Sequence, residues 1–148
     1  MSQVKPIPDG YHAVQPYLIF EDAAAAIAFY QKAFGATERF RMTGKDGRIG
    51  HAEIQIGDSV IMMADQHPEA GIHAPSHYGG SPVSLLIYTA DCDGMYNQAV
   101  ATGGEGFRPP ADQPYGDRNA GVKDPFGYRW LIATHIKDVS PEELAALG

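Results

Sequence analysis

Tyr115-Gly116-Asp117-Arg118-Asn119-Ala120-Gly121-Val122-Lys123-Asp124-Pro125-Phe126-Gly127-Tyr128-Arg129-Trp130-Leu131 decides the reading of this chain, because a degraded copy of the same pattern stands in its first half. The copy is Gly47-Arg48-Ile49-Gly50-His51-Ala52-Glu53-Ile54-Gln55-Ile56-Gly57-Asp58-Ser59-Val60-Ile61. A shift of seventy positions lays Arg48 on Arg118, Gly57 on Gly127 and Ile61 on Leu131. The repetition points to a duplicated unit, and a duplicated unit points to a site between its halves.

Working outward from the two copies, each is preceded by a strand and a helix. In the first half, 14–20 reads as a strand, with Pro16 placing it at an edge or at its start. Asp22 caps a helix over 23–34 whose Ile27, Tyr30 and Phe34 share a face, and Gly35 stops it. Strands follow at 37–42, 49–56 and 59–63, joined by the turn signals Gly44-Lys45-Asp46-Gly47 and Gly57-Asp58. In the second half, 83–89 is a strand and Asp91 caps a helix through Met95, Ala99 and Val100 that ends at Gly103-Gly104. Strands fit near 105–108, 118–123 and 128–135. Ser140-Pro141-Glu142-Glu143 is a capping box that opens a short last helix. The expected organisation is α+β: a single domain over 1–148, with βαβββ units at 12–66 and 82–136. A Pro/Gly/His-rich linker lies at 67–81 and a tail at 137–148. The tandem units are expected to form a cup-shaped mixed sheet.

Composition narrows the function. The chain has 148 residues, 44% of them hydrophobic, enough to bury a core. Eleven basic against 18 acidic residues give a formal charge of -7, which disfavours nucleic acid and anionic membrane surfaces as partners. A single cysteine, Cys92, forms no internal disulfide, and no secretory signal pattern opens the sequence, so a cytoplasmic protein is expected.

Ala26-Ile27-Ala28-Phe29-Tyr30 through Gly35, and Asp124-Pro125-Phe126-Gly127-Tyr128 entering the last strand, resemble the signatures of the vicinal oxygen chelate superfamily. That superfamily includes glyoxalase I, bleomycin-resistance proteins and extradiol dioxygenases. Tyr115-Gly116-Asp117-Arg118, the Trp130 strand and the Ser140-Pro141-Glu142-Glu143 tail resemble its PhnB-like or glyoxalase-like subgroup. The resemblance implies homodimers and, in the enzymes, a divalent metal held by four side chains. Carried over, those positions fall at Gln15, at Ile61 or Met62, at Ser84 and at Leu131. Gln15 can serve through its amide oxygen, but none of the other positions is a histidine or a carboxylate, whereas a catalytic metal centre of this kind needs about three protein ligands. No metal or other cofactor is expected, and metal-dependent glyoxalase I chemistry is not expected either.

The remaining candidates come from the residues themselves. His51, Glu53 and Gln55 alternate with Ala52, Ile54 and Ile56, so they share one strand face, and a histidine beside a carboxylate can serve as a general base. The competing reading is a solvated or interface-facing strand. Arg118 offers a planar fork for a carboxylate or phosphate, or else pairs with Asp117, Asp124 or Glu53. Tyr17 shares strand parity with Gln15, and Tyr88 with Ser84, so these tyrosines are placed in the cavity. His135 at a strand end and His67, His73 and His77 in the linker read as solvated. The expected function is binding of a small aromatic or polar molecule in a metal-free cavity by Gln15, Tyr17, Ser84, Tyr88 and Arg118. The alternative is a lyase, isomerase or dioxygenase, with a relocated metal at Gln15, His51 and Glu53 or with metal-free His51/Glu53 chemistry.

Overall fold

The computed structural model describes residues 3–148, and the chain divides into two compact units, the first ending at His77 and the second beginning at Tyr78. The fold is α+β. In the first unit, β1 (Tyr17–Phe20) is followed by α1 (Ala23–Phe34), β2 (Thr37–Thr43), β3 (Ile49–Ile56) and β4 (Ser59–Asp65). The second runs β5 (Ser84–Tyr88), α2 (Cys92–Thr102), β6 (Glu105–Asp112), β7 (Asp117–Lys123), β8 (Arg129–His135) and α3 (Pro141–Ala145). Single 3-10 turns occupy Pro68–Ala70 and Pro75–Tyr78, inside the expected linker.

Each unit carries one four-stranded mixed sheet, ordered β1-β4-β3-β2 and β5-β8-β7-β6. The first and last strands of a unit run parallel, and the remaining pairs are antiparallel. The crossover helix is what permits that parallel pairing. Both helices start as their sequences require: the Asp22 carboxylate accepts from the Ala25 N–H at 3.0 Å, and Asp91 from the Gly94 N–H at 2.9 Å. Gly35 closes α1 in the left-handed conformation, φ 69°.

Period-2 alternation separates the two faces of each sheet. Leu18, Phe20, Ala52, Ile54, Ile61 and Met63 form the buried face of the first, which α1 covers with Ile27, Tyr30 and Phe34. Val122, Trp130, Ile132 and Ala120 do the same in the second, beneath α2. Apolar residues on these faces supply the hydrophobic stabilisation.

The repeat has a different register from the one read in the sequence. Tyr17 pairs with Met62 and Leu86 with Leu131, which makes the spacing between equivalent residues sixty-nine. The helix starts agree. Asp65 accepts from the Ala23 N–H at 2.7 Å, and Thr134, sixty-nine residues later, accepts from the Cys92 N–H at 2.9 Å. A shift of seventy would equate Ile61, on the buried face, with Leu131, on the opposite face of its sheet. Between β3 and β7 the spacing is sixty-eight, with Glu53 matching Gly121, and one extra residue in the β7–β8 turn restores sixty-nine in the last strand. Ile56 and Ser59 flank two residues, whereas the matching Asp124 and Tyr128, joined by a 2.9 Å backbone bond, flank three. One residue is enough to exchange the faces of a strand.

Candidate functional site

On the open face of the first sheet, Tyr17 of β1, Met62 of β4, Glu53 of β3 and Phe40 of β2 stand side by side in register. Alternation places His51 on the same face, two residues before Glu53. The Tyr17 ring reaches across β4, and its hydroxyl lies 2.7 Å from His51 Nδ1. His51 Nε2 lies 2.8 Å from Glu53 Oε2, and the other carboxylate oxygen accepts from the Tyr11 hydroxyl at 2.5 Å. The result is a continuous chain: Tyr17, His51, Glu53, Tyr11.

Glu53 is 3% exposed, while Tyr17 remains 47% exposed. Burial pushes the Glu53 carboxyl upward, but the hydrogen bonds from Tyr11 and His51, with the charge of Arg39, outweigh it and hold the pKa below the usual carboxylate range. In the neutral imidazole, the ionised carboxylate selects the tautomer with hydrogen on Nε2, which leaves the Nδ1 lone pair to accept from the Tyr17 O–H. Burial and the negative charge of Glu53 raise the Tyr17 pKa, so its hydroxyl keeps its proton. Arg39 completes the support: its guanidinium lies 3.6 Å from Glu53 and 5.1 Å above the Tyr11 ring, and it donates to Gln55 at 2.9 Å.

The second sheet carries a related set in another order. The Tyr88 hydroxyl donates to Asp117 Oδ2 at 3.0 Å, and Asp117 Oδ1 lies 2.8 Å from His135 Nδ1. His135 Nε2 lies 2.8 Å from Asp138, so both ring nitrogens face carboxylates, and hydrogen bonds to Asp117 and then Asp138 raise its pKa. Beside them Asn119, 5% exposed, donates to the Tyr115 hydroxyl at 2.5 Å, while its buried Oδ1 has no hydrogen-bond partner among the described residues. Tyr88 is 64% exposed. Its ring is held from below by Asp117 and open above.

The Glyoxalase/Bleomycin resistance protein/Dioxygenase superfamily model matches residues 12–132. The chain belongs to that superfamily. An uncharacterized protein of Mycobacterium bovis is 35% identical over 137 residues, covering 90% of each chain. The anthracycline biosynthesis protein DnrV of Streptomyces peucetius is 30% identical over 138 residues, a match that spans 74% of this chain and 49% of that protein. A PhnB protein from Bacillus cereus shares the fold with a TM-score of 0.63 at 18% identity, over 83% of this chain and 99% of that one.

Within the superfamily framework the metal positions can be tested on their chemistry. Of the two residues expected for the second position, Met62 lies on the open face and Ile61 in the core. Gln15 precedes β1, and its Oε1 accepts from the His12 N–H at 2.6 Å. Ser84 opens β5, and Leu131 lies on the open face of the second sheet. An amide engaged in a local turn, a thioether, a hydroxyl and an alkyl group do not fit a superfamily metal. Among the described residues no group of three or more His, Cys, Asp or Glu side chains is placed to hold one.

Arg118 pairs neither with Asp117, Asp124 nor Glu53. It donates to both carboxylate oxygens of Asp93 on α2, at 2.7 and 2.9 Å, and to Asp112 on β6 at 3.0 Å. Its fork is filled by protein, tying α2 to the β6–β7 edge. The carboxylate of Asp124 caps its own turn, accepting from the Phe126 and Tyr128 N–H groups and from Trp130 Nε1, each at 2.9 Å. His67 is held by Arg48, and the His73 and His77 rings stack with centroids 3.6 Å apart.

Tyr11, Asp117, Asn119 and His135 are site residues that sequence reasoning missed. Asp117 and His135 were within reach, because pairing β7 with β8 across the Asp124–Tyr128 turn sets them directly opposite. Tyr11 sits in an arm without periodicity, and no local signal ties it to Glu53.

Proposed function

We propose that the protein binds a small planar aromatic molecule, with polar substituents, on the open sheet faces that carry Tyr17 and Tyr88, and that it does so without a resident metal. The observation that carries this reading is the state of the two tyrosines. Each hydroxyl is tied to a buried or half-buried polar network while the ring stays largely exposed, so the stacking surfaces are fixed in advance of any ligand. Phe40 and Met62 add apolar surface beside Tyr17, Ser84 shares the face of Tyr88 as a polar contact, and Gln15, just before β1, is the polar contact proposed at the Tyr17 end. That one relative is named an anthracycline biosynthesis protein supports an aromatic rather than an aliphatic ligand in this proposal.

The working assembly in this proposal is a homodimer in the cytoplasm, and light scattering on the purified protein reports its mass. The binding test is an equilibrium titration with 1,4-dihydroxyanthraquinone. Tyr17→Ala and Tyr88→Ala should each weaken binding by about 1 kcal/mol, roughly fivefold. Unchanged affinity in both variants would remove these faces from the site.

A further inference from the structure

We infer that the Tyr17 face is also a proton-transfer site that interconverts the keto and enol forms of an aromatic 1,3-dicarbonyl compound, with Tyr17 as the group that touches the reacting atoms. The inference rests on the binding reading for the aromatic part of the substrate and goes beyond it in the chemistry.

The directions of the hydrogen bonds supply the argument. With His51 in the neutral tautomer that bonds Glu53, Glu53 takes the Nε2 hydrogen, His51 Nδ1 takes the Tyr17 hydrogen, and the Tyr17 oxygen keeps its lone pairs on a residue that is 47% exposed. A base is therefore presented at the surface with its own proton already aimed at a second base. In the forward step the α C–H bond breaks and its proton goes to the Tyr17 oxygen, while the Tyr17 proton moves to His51 Nδ1. The C–H electron pair becomes the C=C bond, and the carbonyl π pair moves onto the substrate oxygen. His51 becomes an imidazolium facing the buried Glu53 carboxylate 2.8 Å away, which offsets the new charge. In the second step His51 returns its proton to Tyr17 as Tyr17 hands one to the enolate oxygen. One proton has moved from carbon to oxygen, and no oxidant or reductant is consumed.

Two features separate this face from a merely solvated strand. Tyr11 from the arm before β1 and Arg39 from the neighbouring strand β2 both converge on Glu53, so the end of the chain is fixed from two sides. The second unit also provides an internal contrast. Tyr88 is bonded directly to a carboxylate, and both nitrogens of His135 face carboxylates, so no free imidazole lone pair stands behind that tyrosine. Raised Tyr17 acidity is not needed, because the phenol passes a proton on and is never left as a free phenolate.

The test uses 1-phenylbutane-1,3-dione in deuterated buffer. Loss of the α-hydrogen is followed by NMR, and binding of the same compound is measured by equilibrium dialysis. Wild-type protein should accelerate exchange about a hundredfold over buffer. Tyr17→Phe keeps the ring and should retain binding within about twofold while exchange falls to the buffer rate; His51→Gln should do the same. Binding with exchange at the buffer rate, or exchange indifferent to Tyr17→Phe, overturns the proton-transfer site and leaves the binding reading standing. Absence of both binding and exchange overturns it for this compound class, and the anthraquinone titration then judges the binding reading separately.

Discussion

His135 shows how one residue can be read as solvent-facing in the sequence and yet join two segments in the fold. Its Nδ1 meets Asp117 on β7 and its Nε2 meets Asp138 in the tail. The folded-state pKa lies above the ordinary histidine value of about 6.5, so the protonated form is the one the fold prefers. The stabilisation is fully present below about pH 6.5 and is lost as pH rises through the raised folded value. The expected outcome is a melting-temperature difference between wild type and His135→Gln that is largest at mildly acidic pH and shrinks in alkaline buffer. A constant difference from pH 5 to 9 would remove the charge argument. The pairing of His51 with Glu53 was legible because both sit on a strand of period 2. Their extension to Tyr17 and Tyr11 was not, since those contacts span 34 and 42 residues and depend on which strands are neighbours.

At the scale of elements, caps and turn residues carried most of the information. Asp22, Gly35, Asp91 and Ser140 each act where their side chain or conformation demands, and α1 and β3 begin and end where the pattern places them. The internal repeat was legible as well, but its phase was not. Phase changes by one residue at the β7–β8 turn, whose conformation is set by Asp124 bonding to Phe126, Tyr128 and Trp130. A residue count alone does not contain those bonds. The β6–β7 turn permits a sharper test. Gly116 has φ 99°, and its carbonyl accepts from the Ile136 and Lys137 N–H groups at 2.9 and 3.0 Å. A Cβ there would collide with the Lys137 carbonyl oxygen. Gly116→Ala should therefore destabilise the protein by about 1–3 kcal/mol in urea unfolding, combining backbone strain with loss of the tail contact. A cost below about 0.5 kcal/mol would show that the turn and tail adjust freely.

Over the whole molecule, the two units keep one scaffold and differ in what they place on it. Position by position, Tyr17, Met62 and Glu53 correspond to Leu86, Leu131 and Gly121, so the polar row of the first unit is apolar in the second. The Phe107 ring fills the space a side chain at Gly121 would need, and Arg129 lies 5.0 Å from the centroid of that ring. The polar cluster of the second unit stands elsewhere, at Asp117 and His135. Duplication has been followed by divergence of the open faces, while the buried faces retained apolar packing. The same divergence bears on metal. Gln15 with Met62, and Ser84 with Leu131, are the positions where the superfamily fold would gather ligands, and neither pair supplies an imidazole or a carboxylate. A metal bound to the native state at a hundred times its dissociation constant would stabilise the fold by about 2.7 kcal/mol, a shift of several degrees in a protein of this size. Tag-free protein titrated with Zn, Ni, Mn and Fe(II) is expected to melt within about a degree of the metal-free sample. Gln15→Ala should leave that result unchanged. A stoichiometric metal whose stabilisation disappears in Gln15→Ala or His51→Ala would instead place a relocated centre on the Tyr17 face, and the proton chain from Tyr17 to Glu53 would then have to be rewritten around the ion.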